Sequence, residues 1–335
     1  MFNKIYDKIK LFILENIKFL ISLSILIFIF TYELPYVVYT PGGLVNLNDR
    51  INIDEENKEN GSINMSYVSM RKGNLPNILL SFLIDNWDLK KSSDITSNNE
   101  SVDDLLNVEK IYMESSVDNA TILAYQKAGK DIKITKKINH VTFIDSKAKT
   151  NIKLEDIILS VDSVKVNDIS DLKEVLNHKD VGDKVNLVVN RNGKNKDVYA
   201  TVLDYGDVKK IGIGFLTTYK YQLKPKMTIK TKDSESGSSG GLMLSLAIYN
   251  ELISDDLTKG RKIVGTGTIS LDGLVGAIDG VKYKMLGAQK NNANIFLCPE
   301  ENYKEALKVK KEYNLSLTLK SVKTFDEAVE YLLNS

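Results

Sequence analysis

Two residue types in the last third of the chain could together perform nucleophilic chemistry. Ser239 lies in the run DSESGSSGGLM (Asp233–Met243), and Lys282 follows in GAIDGVKYK. A serine hydroxyl attacks only when a base takes its proton, and a desolvated neutral lysine can do this without histidine. The two histidines, His140 and His178, lie far upstream, which argues against a Ser-His-Asp triad. We therefore predict an acyl-transfer site with Ser239 as nucleophile and Lys282 as general base.

Two helices must position this pair. The spacing of apolar residues predicts one helix over Gly240–Ile253 and another from about Gly280 to Asn291. Ser239 would lie just before the first helix, where the backbone N–H groups of Ser239 and Gly240 can bind a developing oxyanion. Lys282 would lie in the first turn of the second helix, whose positive end disfavours a protonated amine.

The lysine needs a lowered pKa, which nearby residues both favour and oppose. Moving the pKa of a lysine from ~10.4 toward ~7 requires about 4 kcal/mol, more than a helix end supplies. Burial beneath Val281 and Met285 must therefore provide most of the shift. Asp279 works in the opposite direction, because an anion beside Lys282 stabilises its charged form.

Two alternatives stay open at the nucleophile. The string GSSGG by itself is more typical of a flexible linker, although here it runs straight into LMLSLAIYNELI, the pattern of an amphipathic helix. Ser238 is adjacent to Ser239 and is the second candidate for the attacking hydroxyl.

Composition argues against several classes of function. Lys+Arg at 45 against Asp+Glu at 44 gives a net charge of +1, which offers no electrostatic case for binding nucleic acid. Cys298 is the only cysteine, so no internal disulfide can form, and its setting in NIFLCP predicts a buried strand position. No HExxH, paired CxxC or GxxxxGK[ST] pattern occurs. We predict no metal site, no cofactor and no ATP binding.

Residues 17–34, IKFLISLSILIFIFTYEL, predict a single transmembrane helix, because a helix of this length covers most of a ~30 Å hydrocarbon core. Basic residues precede or open this span, and the next one after it is Arg50. The positive-inside rule then predicts residues 1–16 in the cytoplasm and the rest of a single-pass cell-membrane protein outside. A cleaved signal peptide is the rival, but no small-x-small site follows. A cytoplasmic enzyme with an interfacial helix fits poorly, since residues 19–30 leave no polar face.

The chain after this span divides into three predicted segments. Residues 35–130 combine a strand within Gly61–Met70, an exposed loop at 89–107 and a helix over Ser116–Gly129. Residues 131–206 read as short strands around one helix, with Asp168 or Ser170 as its N-cap. Residues 207–335 alternate helices and strands, an α+β pattern. Their predicted strands are Ile263–Leu271, Asn294–Cys298 and Leu315–Leu319, and their last two predicted helices are Glu300–Lys311 and Phe325–Leu333.

The stretch LEDIILSVDSVKVNDISDLKEVL (Leu154–Leu176) resembles the PDZ modules of bacterial proteases. The resemblance implies a domain that takes up a peptide as an added strand. The glycine-rich loop that cradles a peptide carboxylate in PDZ domains would fall near Lys137–Asn139, where no glycine is present. A structural or gating role for the domain is therefore the alternative.

The last segment resembles the catalytic domain of Lon-type proteases at four places in the same order. Gly237–Met243 resembles the family's nucleophile segment, Thr266–Gly273 a TGEITLxG strand, DGVKYK a GGLKEK segment and IFLCPEEN the strand and turn that follow. The resemblance implies Ser239 as nucleophile, Lys282 as general base and Thr266 in a supporting hydrogen bond.

The order of anchor, PDZ and catalytic segment resembles the membrane-anchored, PDZ-containing Lon-like proteases of Gram-positive bacteria. It implies an α+β fold in which the PDZ-like domain (131–206) is inserted before the Lon-type proteolytic domain (207–335), with strands from 35–130 joining the catalytic fold. The implied function is an ATP-independent serine endopeptidase that forms an acyl-enzyme on secreted or membrane-proximal peptides and unfolded proteins. An inactive membrane-tethered PDZ adaptor is the alternative from another class.

Overall fold

The computed structural model describes residues 2–53, 61–96, 100–206 and 208–335, apart from the side chains of residues 2–4. Residue 207, where the catalytic segment was predicted to begin, and residues 97–99 of the predicted 89–107 loop lie outside the described residues. The chain forms two compact units. One comprises Met1–Pro41 and Val68–Ile95, and the other comprises Gly42–Tyr67 and Thr96–Ser335.

The helices, in chain order, are α1 Phe2–Glu15, α2 Ile17–Thr31, α3 Leu75–Leu83, α4 Val102–Lys127, α5 Ile169–Asn177, α6 Gly241–Leu252, α7 Val281–Lys290, α8 Glu300–Glu312 and α9 Phe325–Asn334, with a 3-10 turn at Ser92–Asp94. The strands are β1 Leu34–Asn46, β2 Ile51–Ile53, β3 Ser62–Gly73, β4 Asp88–Lys91, β5 Asp131–Ile144, β6 Ile157–Val161, β7 Val164–Lys165, β8 Lys184–Arg191, β9 Lys194–Thr201, β10 Leu203–Asp204, β11 Lys209–Lys210, β12 Ile213–Lys224, β13 Met227–Ile229, β14 Lys262–Gly265, β15 Thr268–Ile269, β16 Val275–Gly276, β17 Ile295–Pro299 and β18 Thr318–Val322.

The first unit holds the N-terminal helices and the outer parts of β1 and β3. Helix α2 ends at Thr31, so the prediction of one continuous helix over 17–34 is wrong at its C-terminal end. The cause is local: Leu34 precedes Pro35, and a residue before proline is driven out of the helical region, so β1 begins at Leu34. Strand β4 then pairs antiparallel with β1, from Tyr36 opposite Lys91 to Tyr39 opposite Asp88.

Within the described residues, no single helix is both long and apolar enough to cross a membrane. The segments Ile5–Glu15 and Ile17–Thr31 meet the criteria of length and composition together, as a pair bent by 75°.

In the second unit, parallel strands form the centre of the catalytic fold. Strand β14 pairs in parallel with β3 on one side and with β17 on the other, and β17 pairs in parallel with β18. Strand β3 lies almost 200 residues before β14 in the chain, so a segment ahead of the PDZ-like domain does contribute a strand beside the catalytic segment. Helix α6 is buried along nearly its whole length and packs against α4 in the largest core cluster.

Helix α4 begins earlier than its apolar pattern suggests. A capping box starts it, in which the Ser101 hydroxyl accepts from the Asp104 N–H and the Asp104 carboxylate accepts from the Ser101 N–H. The prediction that 89–107 is loop is therefore wrong for 102–107, where α4 has begun, and for 89–91, which lie in β4. Polar caps at a helix start resemble loop sequence, because the same residue types favour both.

The PDZ-like domain is built on a second sheet, whose strands follow the order β12-β5-β6-β8-β9. Its core is a separate cluster that includes Val141, Leu172 and Leu187. Strand β12 pairs antiparallel with β5 along its whole length, from Ile213 opposite Ile144 to Lys224 opposite Asp131. Residues 213–224 thus lie in the PDZ sheet, although the sequence placed everything after 206 in the catalytic segment. Asp168 caps α5, as predicted.

Candidate active site

The candidate active site brings one serine, one lysine and one threonine together. Lys284 Nζ lies 2.6 Å from Ser239 Oγ and 2.9 Å from Thr266 Oγ1. Ser239 is half-buried, immediately before the start of α6, whereas Lys284 and Thr266 are buried. A hydroxyl and an amine at hydrogen-bond distance are the nucleophile and base that acyl transfer requires.

The lysine at this position is Lys284, so the prediction of Lys282 as Ser239's partner is wrong. A helix turns by about 100° per residue, which puts Lys282 about 200° around α7 from Lys284. The buried face of α7 carries Val281, Lys284, Met285 and Ala288, spaced three, four and seven residues from the first. Lys282 is half-buried with its ammonium over the Tyr283 ring, 5.5 Å from the centroid. The family pattern offered both lysines of VKYK, and this helical spacing was the signal that distinguishes them.

Burial lowers the pKa of Lys284 from 10.5 to about 8, and the carboxylate of Asp279 opposes this shift. Lys284 is 3% exposed, so water cannot stabilise its charged form. Lys284 is therefore buried and partly neutralised, as the reaction requires of its base. The opposing effect predicted for Asp279 on Lys282 acts on Lys284 instead.

Thr266 fixes the direction of the hydrogen bonds around the lysine. Its hydroxyl donates to the carbonyl oxygen of Ser239 at 3.0 Å, so toward Lys284 it acts as an acceptor. A neutral Lys284 can then donate one N–H to Thr266 and direct its lone pair at the hydroxyl of Ser239. Thr266 lies in the break between β14 and β15, where the sequence predicted one unbroken strand over Ile263–Leu271.

The nucleophile segment is fixed at its carbonyl groups. The Ser239 carbonyl accepts from the Gly267 N–H at 2.8 Å as well as from Thr266. The N–H groups of Ser239 and Gly240 take no part in hydrogen bonds among the described residues. They precede α6, a helix start where the dipole favours negative charge. The two N–H groups that the sequence predicts as donors to an oxyanion therefore have no competing acceptor among the described residues.

Close packing explains why a glycine begins α6. A Cβ built on Gly241 would come within 2.8 Å of both Ser116 Oγ and the Ile269 side chain. No larger residue fits between α4 and β15 without displacing one of them. The start of α6, and with it Ser239, is therefore set by contact with both elements.

Helix α4 holds the nucleophile segment from one side. The Glu109 carbonyl accepts from the Gly237 N–H at 2.8 Å, and Ser116 Oγ donates to the Ser238 carbonyl at 3.0 Å. Ser238 thus contributes its carbonyl to the positioning of the segment, while Lys284 bonds to Ser239. These contacts of α4 were not anticipated from the sequence, because nothing in its pattern marks Ser116 as different from an ordinary helix residue.

The same helix also contacts the PDZ sheet. Ser115 Oγ donates to the Thr217 carbonyl at 3.1 Å, and the Asp118 carboxylate accepts from the Tyr219 N–H at 2.6 Å. Both backbone groups belong to β12, the edge strand of that sheet. Burial raises the pKa of Asp118 to about 6, against the lowering effect of its bonds to Tyr219 and Tyr221.

The predicted place for a carboxylate-binding loop at Lys137–Asn139 is wrong. These residues lie inside β5, opposite Thr217–Tyr219 of β12. Glycines occur instead at the start of the edge strand, in IGIGF (Ile211–Phe215), where Gly212 has φ +71° and its carbonyl accepts from the Asp145 N–H. The predicted PDZ-like domain ends at residue 206 and therefore does not include this stretch.

Other candidate groups can be placed as well. Cys298 is buried within β17, and burial raises the pKa of its thiol to about 12. In the described part of the chain, no three His, Cys, Asp or Glu side chains are placed to hold a metal ion.

Comparison with known proteins agrees with this architecture. Residues 123–202 match the PDZ domain family, and residues 231–335 match the C-terminal proteolytic domain of Lon protease. The chain therefore carries a PDZ domain and a Lon-type domain characteristic of serine peptidases.

Individual relatives match only in part. Lon protease of Campylobacter jejuni is 34% identical over 100 residues, which cover 30% of this chain and 12% of that protein. The serine protease Do-like HtrA of Lactobacillus helveticus is 47% identical over 53 residues, 16% of this chain and 13% of its own length. A solved PDZ domain from the SdrC-like protein of Listeria monocytogenes is 19% identical with a TM-score of 0.23, covering 25% of this chain and 93% of that domain. The chain thus covers about an eighth of the length of each of these two curated relatives.

Proposed function

We propose that this protein is an ATP-independent serine endopeptidase with a Ser239–Lys284 dyad, held at the cell membrane by its N-terminal helices with the catalytic domain outside. The observation that carries the proposal is the 2.6 Å contact between Lys284 Nζ and Ser239 Oγ, with the lysine buried and its pKa lowered. The Lon-type domain match supports the reaction class. The absence of a GxxxxGK[ST] motif from the sequence given supports cleavage without ATP.

In the proposed reaction, neutral Lys284 takes the proton of Ser239 as Oγ attacks the scissile carbonyl carbon. The resulting oxyanion accepts hydrogen bonds from the N–H groups of Ser239 and Gly240. When the C–N bond breaks, the Lys284 ammonium returns its proton to the leaving amine, and an ester on Ser239 remains. Water then attacks the ester carbonyl carbon as Lys284 takes one of its protons. When the bond from that carbon to Oγ breaks, the Lys284 ammonium returns the proton to Oγ, which releases the carboxylic acid and restores the serine hydroxyl and the neutral lysine.

Thr266 supports this cycle by orienting the lysine. Because its own proton is directed at the Ser239 carbonyl, it accepts from Lys284 in both the neutral and the charged state. It is a positioning residue, since no proton leaves or reaches the substrate through it.

The PDZ domain supports the proposal that the substrates are peptides or unfolded protein segments. We propose that these belong to secreted or membrane-proximal proteins. We place the incoming strand along the outer edge of β12 at Ile213–Leu216, beside the glycines of IGIGF. The following residues of that edge, Thr217 and Tyr219, are already bonded to α4. A peptide added there would lengthen the sheet by main-chain hydrogen bonds.

The test is a digest of an unbiased peptide mixture by the full-length protein in detergent without ATP, with products identified by mass spectrometry. Ser239→Ala and Lys284→Gln should each lower the rate by at least about a thousandfold, because each removes half of the dyad. Lys282→Gln is the matched control and should stay within about threefold of the wild type, because its ammonium faces away from Ser239.

A fluorophosphonate probe should add one mass equivalent to the wild type and none to Ser239→Ala. Full cleavage by Lys284→Gln would refute the dyad. An unlabelled, inactive wild type would favour a protein that only binds.

A further inference from the structure

Helix α3, Leu75–Leu83 with the sequence LPNILLSFL, is a short apolar helix with no buried residue. Leu79 is 54% exposed, Phe82 74% and Leu83 80%, and Ile84 directly after the helix is 40% exposed. Single exposed apolar side chains are ordinary on protein surfaces. Several large ones on one nine-residue helix form an apolar patch whose exposure to water is unfavourable. A surface of this kind is expected where something apolar covers it.

The position of α3 indicates what covers it. Its N-cap residue, Asn74, donates from Nδ2 to the Phe30 carbonyl at 2.9 Å, in the last turn of α2. The Asn74 side-chain oxygen accepts from the Asn77 N–H at 3.0 Å, so one side chain caps the end of α2 and the start of α3. Helix α2 is itself apolar on every side with no buried residue. Two exposed apolar helices are thus joined end to start.

The chain beyond α3 has the residues typical of a membrane–water interface. Trp87 is half-buried four residues after the helix, and the Arg71 guanidinium lies 5.1 Å from its ring centroid. Lys90 and Lys91 follow as exposed basic residues. Tryptophan concentrates at the headgroup level of bilayers, and basic residues there attract anionic lipids.

We propose that α3, together with Ile84 and Trp87, lies in the headgroup layer of the bilayer that α2 enters. The proposal rests on the membrane attachment given under the proposed function, and it is independent of the dyad. Phe82 and Leu83 insert among the upper acyl chains, and Trp87 with Arg71 lies at headgroup depth. The occupant of this apolar surface is phospholipid.

Trp87 makes a direct test possible because it is the only tryptophan in the chain. The full-length protein is reconstituted into phosphatidylcholine vesicles containing phosphatidylglycerol, with bromine on the acyl chains either near the headgroup or near the chain end. Shallow bromine should quench Trp87 emission at least about twofold more than deep bromine, the signature of an interfacial residue. Vesicle flotation, scored separately, reports whether the protein is attached at all.

The variant F82D/L83D should still float with the vesicles through α2 but lose most of the quenching. Because neither side chain is buried, its folding should match the wild type in circular dichroism and peptide cleavage. The double variant V164D/V181D changes two exposed valines of the PDZ domain and should leave quenching unchanged.

Flotation without quenching by either lipid overturns the proposal while leaving membrane attachment intact. Failure to float overturns both. The wild type could instead form an oligomer in detergent, show no quenching in vesicles, and become monomeric in F82D/L83D. That result would assign the surface to a second copy of the chain and also overturn the proposal.

Discussion

Ser115 and Ser116 are consecutive residues of α4, yet they donate to carbonyl groups in two different segments. Ser115 Oγ bonds to Thr217 of the PDZ edge strand at 3.1 Å, and Ser116 Oγ bonds to Ser238 beside the nucleophile at 3.0 Å. A shift of this turn of α4 toward one partner would alter its bond to the other.

Ser116→Ala removes the donor to the Ser238 carbonyl and leaves a small gap beside Gly241. We expect kcat to fall about three- to tenfold with little change in KM, because a lost hydrogen bond of about 1 kcal/mol loosens the nucleophile rather than the substrate contacts. Steady-state kinetics on one defined peptide measure this. Ser115→Ala is the matched control and should preserve kcat, so equal losses in both variants would contradict a specific role for Ser116.

The pH dependence of cleavage follows from Lys284. Its pKa of about 8 means that about a tenth of the lysine is neutral at pH 7. Activity should therefore rise with pH and reach half its plateau near pH 8. Asp279→Asn removes the anion that favours the charged form, so the midpoint should move to lower pH. A profile that is flat from pH 6 to 9, or a midpoint unmoved by Asp279→Asn, would contradict this assignment.

Much of the catalytic fold could be predicted because its helices carry strong local signals. The predicted bounds of α6, α7, α8 and α9 agree with the structure to within one residue at each end. These helices have apolar residues at regular helical spacing, so local pattern and tertiary packing favour the same structure. Strand β18 was predicted three residues too early, because Leu315 and Leu317 are buried in the loop before it.

Sequence matching alone does not distinguish Lys284, the partner of Ser239, from Lys282. Two lysines two positions apart both fit the family's motif, and only the direction of each side chain from α7 separates them. Val281 and Met285, named from the sequence as apolar cover, lie three residues before and one after Lys284, on its own face of the helix. The long pairing of β12 with β5 was missed for a different reason, because it joins residues about 80 positions apart. No local pattern encodes that distance.

Lys284→Met should abolish cleavage and stabilise the fold. In the folded protein the pKa of Lys284 lies below its ordinary value, so the unfolded chain binds more protons between pH 8 and 10.5 and stability rises with pH across that window. Below pH 8 the buried charge costs about 3 kcal/mol, which methionine avoids. Urea unfolding should show the largest gain at pH 7 and a shrinking gain toward pH 10. Lys282→Met, the control, should show no such pH-dependent gain.

Thr266→Val tests the support given to the lysine. Valine matches the shape of threonine but removes one of the two hydroxyl groups that contact Lys284, leaving Ser239 Oγ, and takes one donor from the Ser239 carbonyl. We expect kcat to fall about ten- to a hundredfold, since losing the partner of a charged group costs about 1.5–3 kcal/mol. Because the neutral amine tolerates that loss better than the ammonium, the pH midpoint should also move below that of the wild type. Thr266→Ser keeps the hydroxyl and should restore most of the rate, and failure of this rescue would indicate a packing role only.

Asp118→Asn tests the contact between α4 and β12 of the PDZ sheet. The pKa of Asp118 is raised to about 6, so the folded state binds more protons than the unfolded chain between pH 3.8 and about 6. Its contribution to stability is therefore complete below pH 3.8 and is lost as the pH rises through 6, a change of about 3 kcal/mol. Asparagine keeps an oxygen for the Tyr219 N–H but cannot ionise. The free energy of unfolding of the variant should therefore increase relative to that of the wild type as the pH rises across this window. Urea unfolding at several pH values measures the difference. Glu301→Gln, at an exposed position on α8, should leave the slope unchanged, and an unaltered slope in Asp118→Asn would show that Asp118 does not carry it.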